Sequence, residues 1–371
     1  MTDLRVERIA VLGLGNVGGL IADMLQERGF EILGADADRA KAVDEHVTIL
    51  DVTNSAALAD LFGRVDAVVS CLPYHLMTRV ATAAQAAGVH YLDLTEDVDT
   101  SSRLRKLAES STSVLMPHCG LAPGFICVVG SSLAARLDTV DAIALRVGAL
   151  PRSRNSALGY AFNWSPAGVV NEYLNDCEQL HEGVRVMVPL LGELETITIE
   201  GTQYEAFTTS GGLGTMCETF ADRVDRLDYK TIRYPGHCEL MRFLLHELRL
   251  ASKRGVLQNL LAEAYPPVRD DLVVLYATAE GTRAGQRARE ELVRLYGPRT
   301  IAGEVRTAIA WTTAAGAVAM VELLARGAMP EAGMVRQEDV PLDTLLSTSA
   351  GQLLADGVAT RVRDEMQLRV G

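Results

Sequence analysis

Three ionisable side chains follow the ends of two short apolar runs, where they could transfer a proton near neutral pH. Asp93 and Glu96 come at the end of "HYLDLTED", and His118 follows "SVLMP". Such runs predict buried strands, and neighbouring parallel strands present their carboxyl ends at one edge of a sheet. A carboxylate or an imidazole at that edge can act as a general base. We therefore expect one of these three residues to be catalytic, with a structural turn as the alternative for His118 and a helix cap as the expected role of Asp97.

Three basic side chains in "YKTIRYPGH" could bind the carboxylate of a small substrate. Arginine suits this role best, because its planar guanidinium donates two parallel hydrogen bonds. A strand that ends at the Pro235-Gly236 turn would place Lys230 and Arg233 on opposite faces. We therefore favour Arg233 as the carboxylate anchor over a surface ion pair, and we keep Lys230 and His237 as further substrate-binding candidates.

Four other residues could complete a substrate cleft. Arg152 and Arg154 are loop cations that could do the same work as Arg233. Tyr160 and Trp164 could line the aliphatic part of a substrate, or belong to the core.

Two positions close to predicted strand ends are also substrate-binding candidates. Tyr74 follows the fourth predicted strand, where it could contact the substrate or begin a helix. Gly124 follows Pro123 and could approach a ligand through backbone N–H groups, at the start of a helix expected from Phe125.

A glycine-rich turn near the start predicts a dinucleotide site. The run "RIAVL" is typical of a strand, and Gly13, Gly15 and Gly18 follow as G-x-G-x-x-G before a helical apolar pattern that runs to Gly29. The glycines would permit a tight turn, the approach of a pyrophosphate and close packing of helix on strand. The helix N-terminus favours phosphate. Asp36 ends the second strand, where it would bind the adenosine ribose and repel a 2′-phosphate, which favours NAD over NADP.

The turns after the first four strands supply the other predicted cofactor contacts. These turns lie at the carboxyl edge of the sheet, where a dinucleotide passes from adenine to nicotinamide. Arg39 lies close behind Asp36 and could serve a 2′-phosphate, which would allow NADP. The other residues predicted to bind the cofactor are Asn16, Val17, Asp51, Val52, Ser70, Cys71, Leu72 and Pro73.

The order of predicted elements indicates two domains. Strands and helices alternate in the first third of the chain, which predicts an α/β fold with a Rossmann-type doubly wound parallel sheet. Strands then follow one another without helices between them, which predicts an inserted α+β domain on a mostly antiparallel sheet. The apolar run at 307–329 is typical of a helix that returns to the first domain. The predicted divisions are 1–122 for dinucleotide binding, 123–308 for the inserted substrate-binding and dimerisation domain, and 309–371 for the C-terminal helical segment.

Composition excludes several classes of protein. A net charge of −13 without clustered Lys and Arg argues against a nucleic-acid partner. Charged residues interrupt the apolar runs and the first residues lack a signal pattern, so we expect no membrane segment and a cytoplasmic location. The six cysteines lack CxxC and Cys/His spacing, which predicts free thiols and no metal site.

Four further motifs carry a resemblance to a known family. They are "GLAPG" at 120–124, "WSPAG" at 164–168, "TSGGLGT" at 209–215 and "KTIRYPGH" at 230–237. With these motifs the chain resembles, nearly end to end, the short form of the saccharopine dehydrogenase family, and is most like its lysine 6-dehydrogenase members. The resemblance implies an NAD(P)-linked oxidoreductase that acts on a C–N bond of a basic amino acid, with an inserted α+β domain and a homodimeric assembly.

Several activities are compatible with this resemblance. The leading hypothesis is oxidative deamination of L-lysine at its ε-carbon with NAD. Saccharopine dehydrogenase activity is the alternative, and it would need more cations, because a second carboxylate must be bound. A polyamine-linked dehydrogenase and a non-catalytic NAD-binding regulator are the remaining alternatives. A regulator would lack ionisable groups near the nicotinamide, so the presence of Asp93, Glu96 and His118 favours an enzyme.

Overall fold

The computed structural model describes residues 6–41 and 47–359. The outer ends of the predicted first and last segments, 1–5 and 360–371, lie outside the described residues. The strands of the described residues are β1 Arg8–Leu12, β2 Glu31–Asp36, β3 Val47–Ile49, β4 Ala67–Ser70, β5 His90–Asp93, β6 Val114–Met116, β7 Thr139–Pro151, β8 Cys177–His181, β9 Val184–Val188, β10 Glu195–Ile199, β11 Thr202–Thr208, β12 Arg226–Arg233, β13 Asp271–Arg283, β14 Gln286–Tyr296, β15 Arg299–Ile301, β16 Glu304–Arg306, β17 Gly333–Met334 and β18 Val358–Ala359.

Some of the helices begin after a residue whose side chain caps the helix N-terminus. Asn54, Asp97 and Ser165 each accept a hydrogen bond from a first-turn N–H, the first by its side-chain amide oxygen, the second by its carboxylate and the third by its hydroxyl. The α-helices of the described residues are α1 Asn16–Glu27, α2 Ser55–Phe62, α3 Tyr74–Ala87, α4 Val98–Ala108, α5 Phe125–Ala134, α6 Pro166–Glu172, α7 Met216–Phe220, α8 His237–Arg242, α9 Arg254–Ala264, α10 Ala308–Ala325, α11 Leu342–Leu346 and α12 Ser349–Ala355.

The first sheet is parallel and doubly wound, as the sequence pattern predicts. Its strand order within the described residues is β17-β6-β5-β4-β1-β2-β3, and each of its pairs is parallel. The order reverses between β1 and β4, so the crevice for a ligand lies beyond the carboxyl ends of these two strands. The short strand β17 joins this sheet after α10, so the chain returns to the first domain. The exact domain boundaries stay a prediction.

The second sheet is mixed but mostly antiparallel. Its main path runs β10-β11-β12-β7-β13-β14-β18, and β8 and β9 extend from β12. The pair of β12 and β7 is parallel, which departs from the antiparallel pattern expected around it. The reason is topological, because 74 residues separate the end of β7 from the start of β12 and bring the chain back in the same direction. The strand β14, with its charged sequence "QRAREELVRLY", was not predicted.

The apolar helix α10 forms the core that joins the two sheets. It packs against α1 and α12. By length and composition Ala308–Ala325 could cross a membrane, but 89% of this segment is buried inside the protein, as in a core helix. Its one buried acid, Glu322, accepts a hydrogen bond from Nε of Arg28 at 2.8 Å. Burial of this acid is therefore compensated by a paired charge.

Candidate active site

The glycine turn has the geometry expected for binding a pyrophosphate. A Cβ atom on Gly13 would lie 2.9 Å from the carbonyl oxygen of Cys71, and one on Gly18 would lie 1.9 Å from the carbonyl oxygen of Gly13. Both positions therefore require glycine for the turn and for the packing of α1. A Cβ on Gly15 would meet nothing within 4 Å, and Gly15 lines a large cleft. The open side of the turn and the N-terminus of α1 thus fit a dinucleotide phosphate.

Asp36 is held beside this turn. Its carboxylate accepts hydrogen bonds from the N–H of Leu14 at 2.7 Å and of Asp38 at 2.9 Å. Each carboxylate oxygen has a further lone pair, so the side chain can still accept from ribose hydroxyls. Arg39 lies exposed in the short 3₁₀ turn that follows β2.

The other predicted cofactor residues divide into two groups. Asp51 is exposed and accepts from the N–H of Thr53, while Val52 and Ser70 are buried in the first domain. None of these three is among the residues that line the cleft. The residues that line it are Asn16, Val17, Cys71, Leu72 and Pro73, together with the substrate candidate Tyr74.

The cleft lies between the carboxyl edge of the first sheet and the second domain. Its volume is about 930 Å³, large enough for a cofactor head and a small substrate. Gly120 to Pro123, from the "GLAPG" motif, line one part of it, and Trp164 to Ala167, from the "WSPAG" motif, line another. Gly124 is not among the residues that line it, and a Cβ there would lie 2.2 Å from the carbonyl oxygen of Gly120. The predicted ligand contact at Gly124 is therefore replaced by a tight turn against Gly120.

Arg233 is the cation that faces this cleft. It is 3% exposed, its Nε donates to the hydroxyl of Tyr173 at 3.1 Å, and its Nη1 donates to the carbonyl of Ile232 at 2.8 Å. Its guanidinium carbon lies 4.7 Å from the ring centre of Tyr160, a cation–π contact. Burial opposes the charged form, but Tyr173, Tyr160 and Glu172 together raise the pKa of Arg233 above its ordinary value. The side chain is thus charged and rigidly held.

A chain of hydrogen bonds fixes this arginine. The hydroxyl of Tyr173 lies 3.0 Å from Nε2 of His237, and Nδ1 of His237 lies 3.0 Å from the carbonyl of Leu158. A carbonyl only accepts, so Nδ1 carries the proton and Nε2 accepts from Tyr173. Burial and the charge of Arg233 lower the pKa of His237 to about 3, so its ring is neutral. His237, predicted to bind substrate, lies behind Arg233 and positions it through Tyr173.

Lys230 lies on the opposite face of β12, as the spacing predicts, and not among the residues that line the cleft. Its Nζ donates to Glu195 at 3.0 Å and lies 3.7 Å from Glu193. The prediction that it binds substrate is therefore replaced by a structural ion pair. Arg152 also points away, to Asp270 at 2.8 Å, and Arg154 is exposed outside the cleft lining.

Two glutamates line the cleft together with Arg233. Glu96 follows β5, and burial, with smaller contributions from Asp97 and Asp93, raises its pKa to about 7. Glu172 ends α6 and is 8% exposed, and burial raises its pKa to about 8 against the opposing effect of Arg233. Acids with pKa values this close to neutrality are suited to proton transfer and to binding an amine.

Sequence reasoning missed Glu172. The signal available was an acid on the same helical face as Gly168 and Val169, within the apolar stretch "AGVVNEYL". An acid on such a face is either paired or functional.

The two other acid–base candidates do not reach the cleft. Asp93 is fully buried, and its carboxylate accepts from the hydroxyl of Tyr91 and the N–H groups of Thr95 and His118 at 2.9–3.1 Å. Burial raises the pKa of Asp93 to about 6. These bonds tie the end of β5 to the turn after β6, so Asp93 supports the loop that carries Glu96.

His118 is held by both ring nitrogens in a separate, smaller cavity. Its Nδ1 donates to the carbonyl of Thr95 at 2.7 Å, and Nε2 lies 3.1 Å from the hydroxyl of Ser101. Burial lowers its pKa to about 4. The smaller cavity, about 210 Å³, also contains Glu96 and the glycines of "TSGGLGT" in its wall. Asp97 caps α4 through the N–H of Thr100 at 2.9 Å, as predicted.

The thiols and possible metal ligands show no additional site among the described residues. The six cysteines are free, and five of them are buried. No group of three or more His, Cys, Asp or Glu in residues 6–41 and 47–359 is arranged to hold a metal ion.

Two family models match consecutive parts of the chain. The model described as the saccharopine dehydrogenase NADP binding domain matches residues 9–115, and the saccharopine dehydrogenase C-terminal domain matches residues 120–355. Together they span both sheets and the cleft between them.

Curated relatives match about half of the chain. A mouse mitochondrial alpha-aminoadipic semialdehyde synthase is 28% identical over 196 residues, which are 49% of this chain and 21% of that protein. A saccharopine dehydrogenase (NADP⁺, L-glutamate-forming) from Pyricularia oryzae is 26% identical over 180 residues, 45% of this chain and 40% of that protein. The chain thus aligns with less than half the length of either relative.

Solved structures share the fold. The apo saccharopine dehydrogenase (L-Glu forming) from Saccharomyces cerevisiae has a TM-score of 0.72 at 14% identity, covering 91% of this chain and 95% of that one. The DAP dehydrogenase of C. glutamicum, in complex with DAP, has a TM-score of 0.50 at 11% identity over 96% and 99% of the two chains. These likenesses show the two-domain architecture.

Proposed function

Because the chain belongs to the saccharopine dehydrogenase family, a family of NAD(P)-dependent amino-acid dehydrogenases, we propose that it oxidises the CH–NH₂ group of a basic amino acid, namely the ε-carbon of L-lysine. One observation carries the choice of substrate: Arg233 is the one Lys or Arg among the described residues that line the cleft, and two glutamates accompany it. This charge pattern suits a ligand with one carboxylate and a distal ammonium group.

Saccharopine dehydrogenase activity is the second candidate, supported by the name of the matching family and of the fungal relative. Saccharopine carries a glutaryl arm with further carboxylates, and each would need a cation or several N–H donors when buried. The described lining of the cleft offers Arg233 alone as a cation and places Glu96 and Glu172 nearby. Two acidic side chains in the same lining disfavour the larger, more acidic substrate, because ionised carboxylates repel one another.

The reaction assigns a distinct task to each part of the cleft. Bound NAD(P)⁺ supplies the hydride acceptor. Arg233 holds the substrate carboxylate, and the Tyr173–His237 chain keeps its guanidinium in place. Glu96, at the carboxyl edge of the first sheet, accepts the proton that the substrate ammonium loses. Loss of this proton and of a hydride leaves an imine at the ε-carbon, and a water molecule that enters the open cleft hydrolyses the imine and releases ammonia. Leu121 to Pro123 form an apolar part of the cleft wall.

For the cofactor we propose NAD, on the strength of Asp36. The Asp36→Ala variant is expected to weaken NAD⁺ binding by about tenfold, because a charged acceptor of ribose hydroxyls is lost, and to leave NADP⁺ binding equal or tighter. Titration of the full chain with both cofactors measures this. The Asp36→Asn variant keeps an oxygen that can accept from the N–H of Leu14. It therefore separates the effect of removing the charge from the effect of disturbing the turn. Equal losses for both cofactors would reject the ribose role.

The direct test of the proposed function is cofactor reduction with a panel of amines. Full-length protein is mixed with NAD⁺ or NADP⁺ and with L-lysine, saccharopine, L-ornithine or spermidine, and reduced cofactor is followed by absorbance. We expect turnover with L-lysine above the others. Preferred turnover of saccharopine would select the second candidate. Cofactor binding without turnover of any amine would indicate a regulator. The homodimer and the cytoplasmic location stay predictions.

A further inference from the structure

Arg233 and Glu172 line the same cleft without forming an ion pair. No nitrogen of Arg233 lies within the 4.0 Å ion-pair distance of a Glu172 oxygen in the described structure. They are nevertheless close, because the guanidinium lowers the pKa of Glu172. A buried guanidinium and a buried carboxyl that face one cavity without forming an ion pair leave room for a third group between them.

Each of the two side chains has unused hydrogen-bonding capacity. Arg233 donates through Nε and Nη1 to the protein, and its Nη2 has no partner among the described residues. The carboxyl of Glu172 has no hydrogen-bond partner among them either, although the residue is only 8% exposed. Its oxygens are not closed off inside the protein but open to the cleft, where a ligand can donate to them.

We propose that Arg233 and Glu172 form a clamp for the head group of a free α-amino acid, in which Arg233 binds the α-carboxylate and Glu172 binds the α-ammonium. This inference rests on the proposed function and narrows its substrate class. The clamp fixes one end of the ligand, so the ligand's side chain extends along Trp164, which lines the cleft, toward the first sheet. Glu96 is then the carboxyl left for the distal amine.

The clamp predicts a specific pattern of discrimination. An ammonium–carboxylate contact in a buried site contributes a charge-assisted hydrogen bond, equivalent to about tenfold or more in affinity. L-Norleucine keeps the α-ammonium, the α-carboxylate and the four-carbon chain of lysine but has no distal amine. Hexanoate lacks the α-ammonium as well. Binding of these two compounds therefore tests the clamp without requiring any oxidation.

The experiment is calorimetric titration of the full chain, with NAD⁺ present, by L-norleucine and by hexanoate. We expect the wild type to bind L-norleucine at least about tenfold more tightly than hexanoate. Glu172→Gln, which preserves shape, should reduce L-norleucine affinity by about tenfold and change hexanoate affinity by less than about twofold. The control is Asp176→Asn, which removes an exposed acid four residues farther along and should leave both affinities unchanged.

Two outcomes would overturn the clamp. Equal affinity of the wild type for L-norleucine and hexanoate would do so without any variant, so the result does not depend on how Glu172→Gln folds. Equal weakening of both ligands in Glu172→Gln would also do so. Failure of the proposed function gives a different result. If the protein binds L-norleucine more tightly than hexanoate but does not oxidise L-lysine, the clamp holds and the proposed reaction is rejected.

Discussion

Replacing Glu96 by Gln is expected to lower kcat for L-lysine oxidation by about 10²–10⁴-fold and to leave NAD(P)⁺ affinity unchanged. Glu96 is the acid at the carboxyl edge of the first sheet that lines the cleft. By contrast, the Asp93 carboxyl already accepts three hydrogen bonds, and both ring nitrogens of His118 are hydrogen-bonded. Gln keeps the shape but cannot accept the proton. Steady-state kinetics with L-lysine, together with cofactor titration, measure both quantities.

The same residue predicts the pH dependence. A base must be deprotonated before it can accept a proton, and burial raises the pKa of Glu96 to about 7. In the wild type, kcat/KM should therefore fall as the pH drops below about 7 and should rise toward a plateau above it. The negative charges of Asp97 and Asp93 raise the pKa of Glu96 in the same direction as burial does. The fall in kcat/KM near pH 7 should be absent from the residual activity of Glu96→Gln.

Asp99→Asn is the matched control for Glu96→Gln. Asp99 is an exposed acid three residues farther along, outside the large cleft, so its neutralisation should leave both kcat and the pH profile unchanged. A Glu96→Gln enzyme that keeps kcat within about threefold of the wild type would contradict the assignment. It would move the search for the base to Glu172.

The sequence predicts those parts of the protein that depend on neighbours along the chain. Gly13, Gly15 and Gly18 could be interpreted because a strand, a helix and Asp36 stand at fixed distances from them. The parallel sheet follows from alternating strands and helices, and opposite faces for Lys230 and Arg233 follow from the period of two in a strand. Each of these inferences uses residues that are close in sequence.

The parts that were missed depend on contacts between distant residues. Tyr173 bonds to Arg233, 60 residues away, and to His237, 64 residues away, so no local pattern reveals that His237 stands behind the arginine. Glu172 lines the cleft from α6, which packs against the distant helix α9. His118 was a reasonable base by its pKa in water, but burial removes that property. The residue types in the sequence indicate the candidate site residues, and tertiary packing determines which of them can contact a ligand.

Replacing Arg233 by Ala is expected to raise the KM for L-lysine by about 10²-fold while cofactor affinity stays unchanged. The guanidinium is buried, charged and held by Tyr173 and Tyr160, so its loss removes a pre-organised donor for the substrate carboxylate. Arg233→Lys should recover only part of the loss, because an ammonium cannot donate two parallel hydrogen bonds. Initial-rate kinetics over a range of L-lysine concentrations, with saturating cofactor, give the values.

Lys230→Ala supplies the matched control on the same strand. Lys230 is also buried and cationic, but it lies on the opposite face and pairs with Glu195. Its removal should lower the thermal midpoint, because Glu195 then has Arg146 as its one remaining ion-pair partner among the described residues, and should leave the KM for L-lysine unchanged. If Arg233→Ala saturated normally with L-lysine, or if Lys230→Ala raised KM to the same extent, the carboxylate would have to bind elsewhere. In that event the charge argument that favours L-lysine over saccharopine would no longer hold.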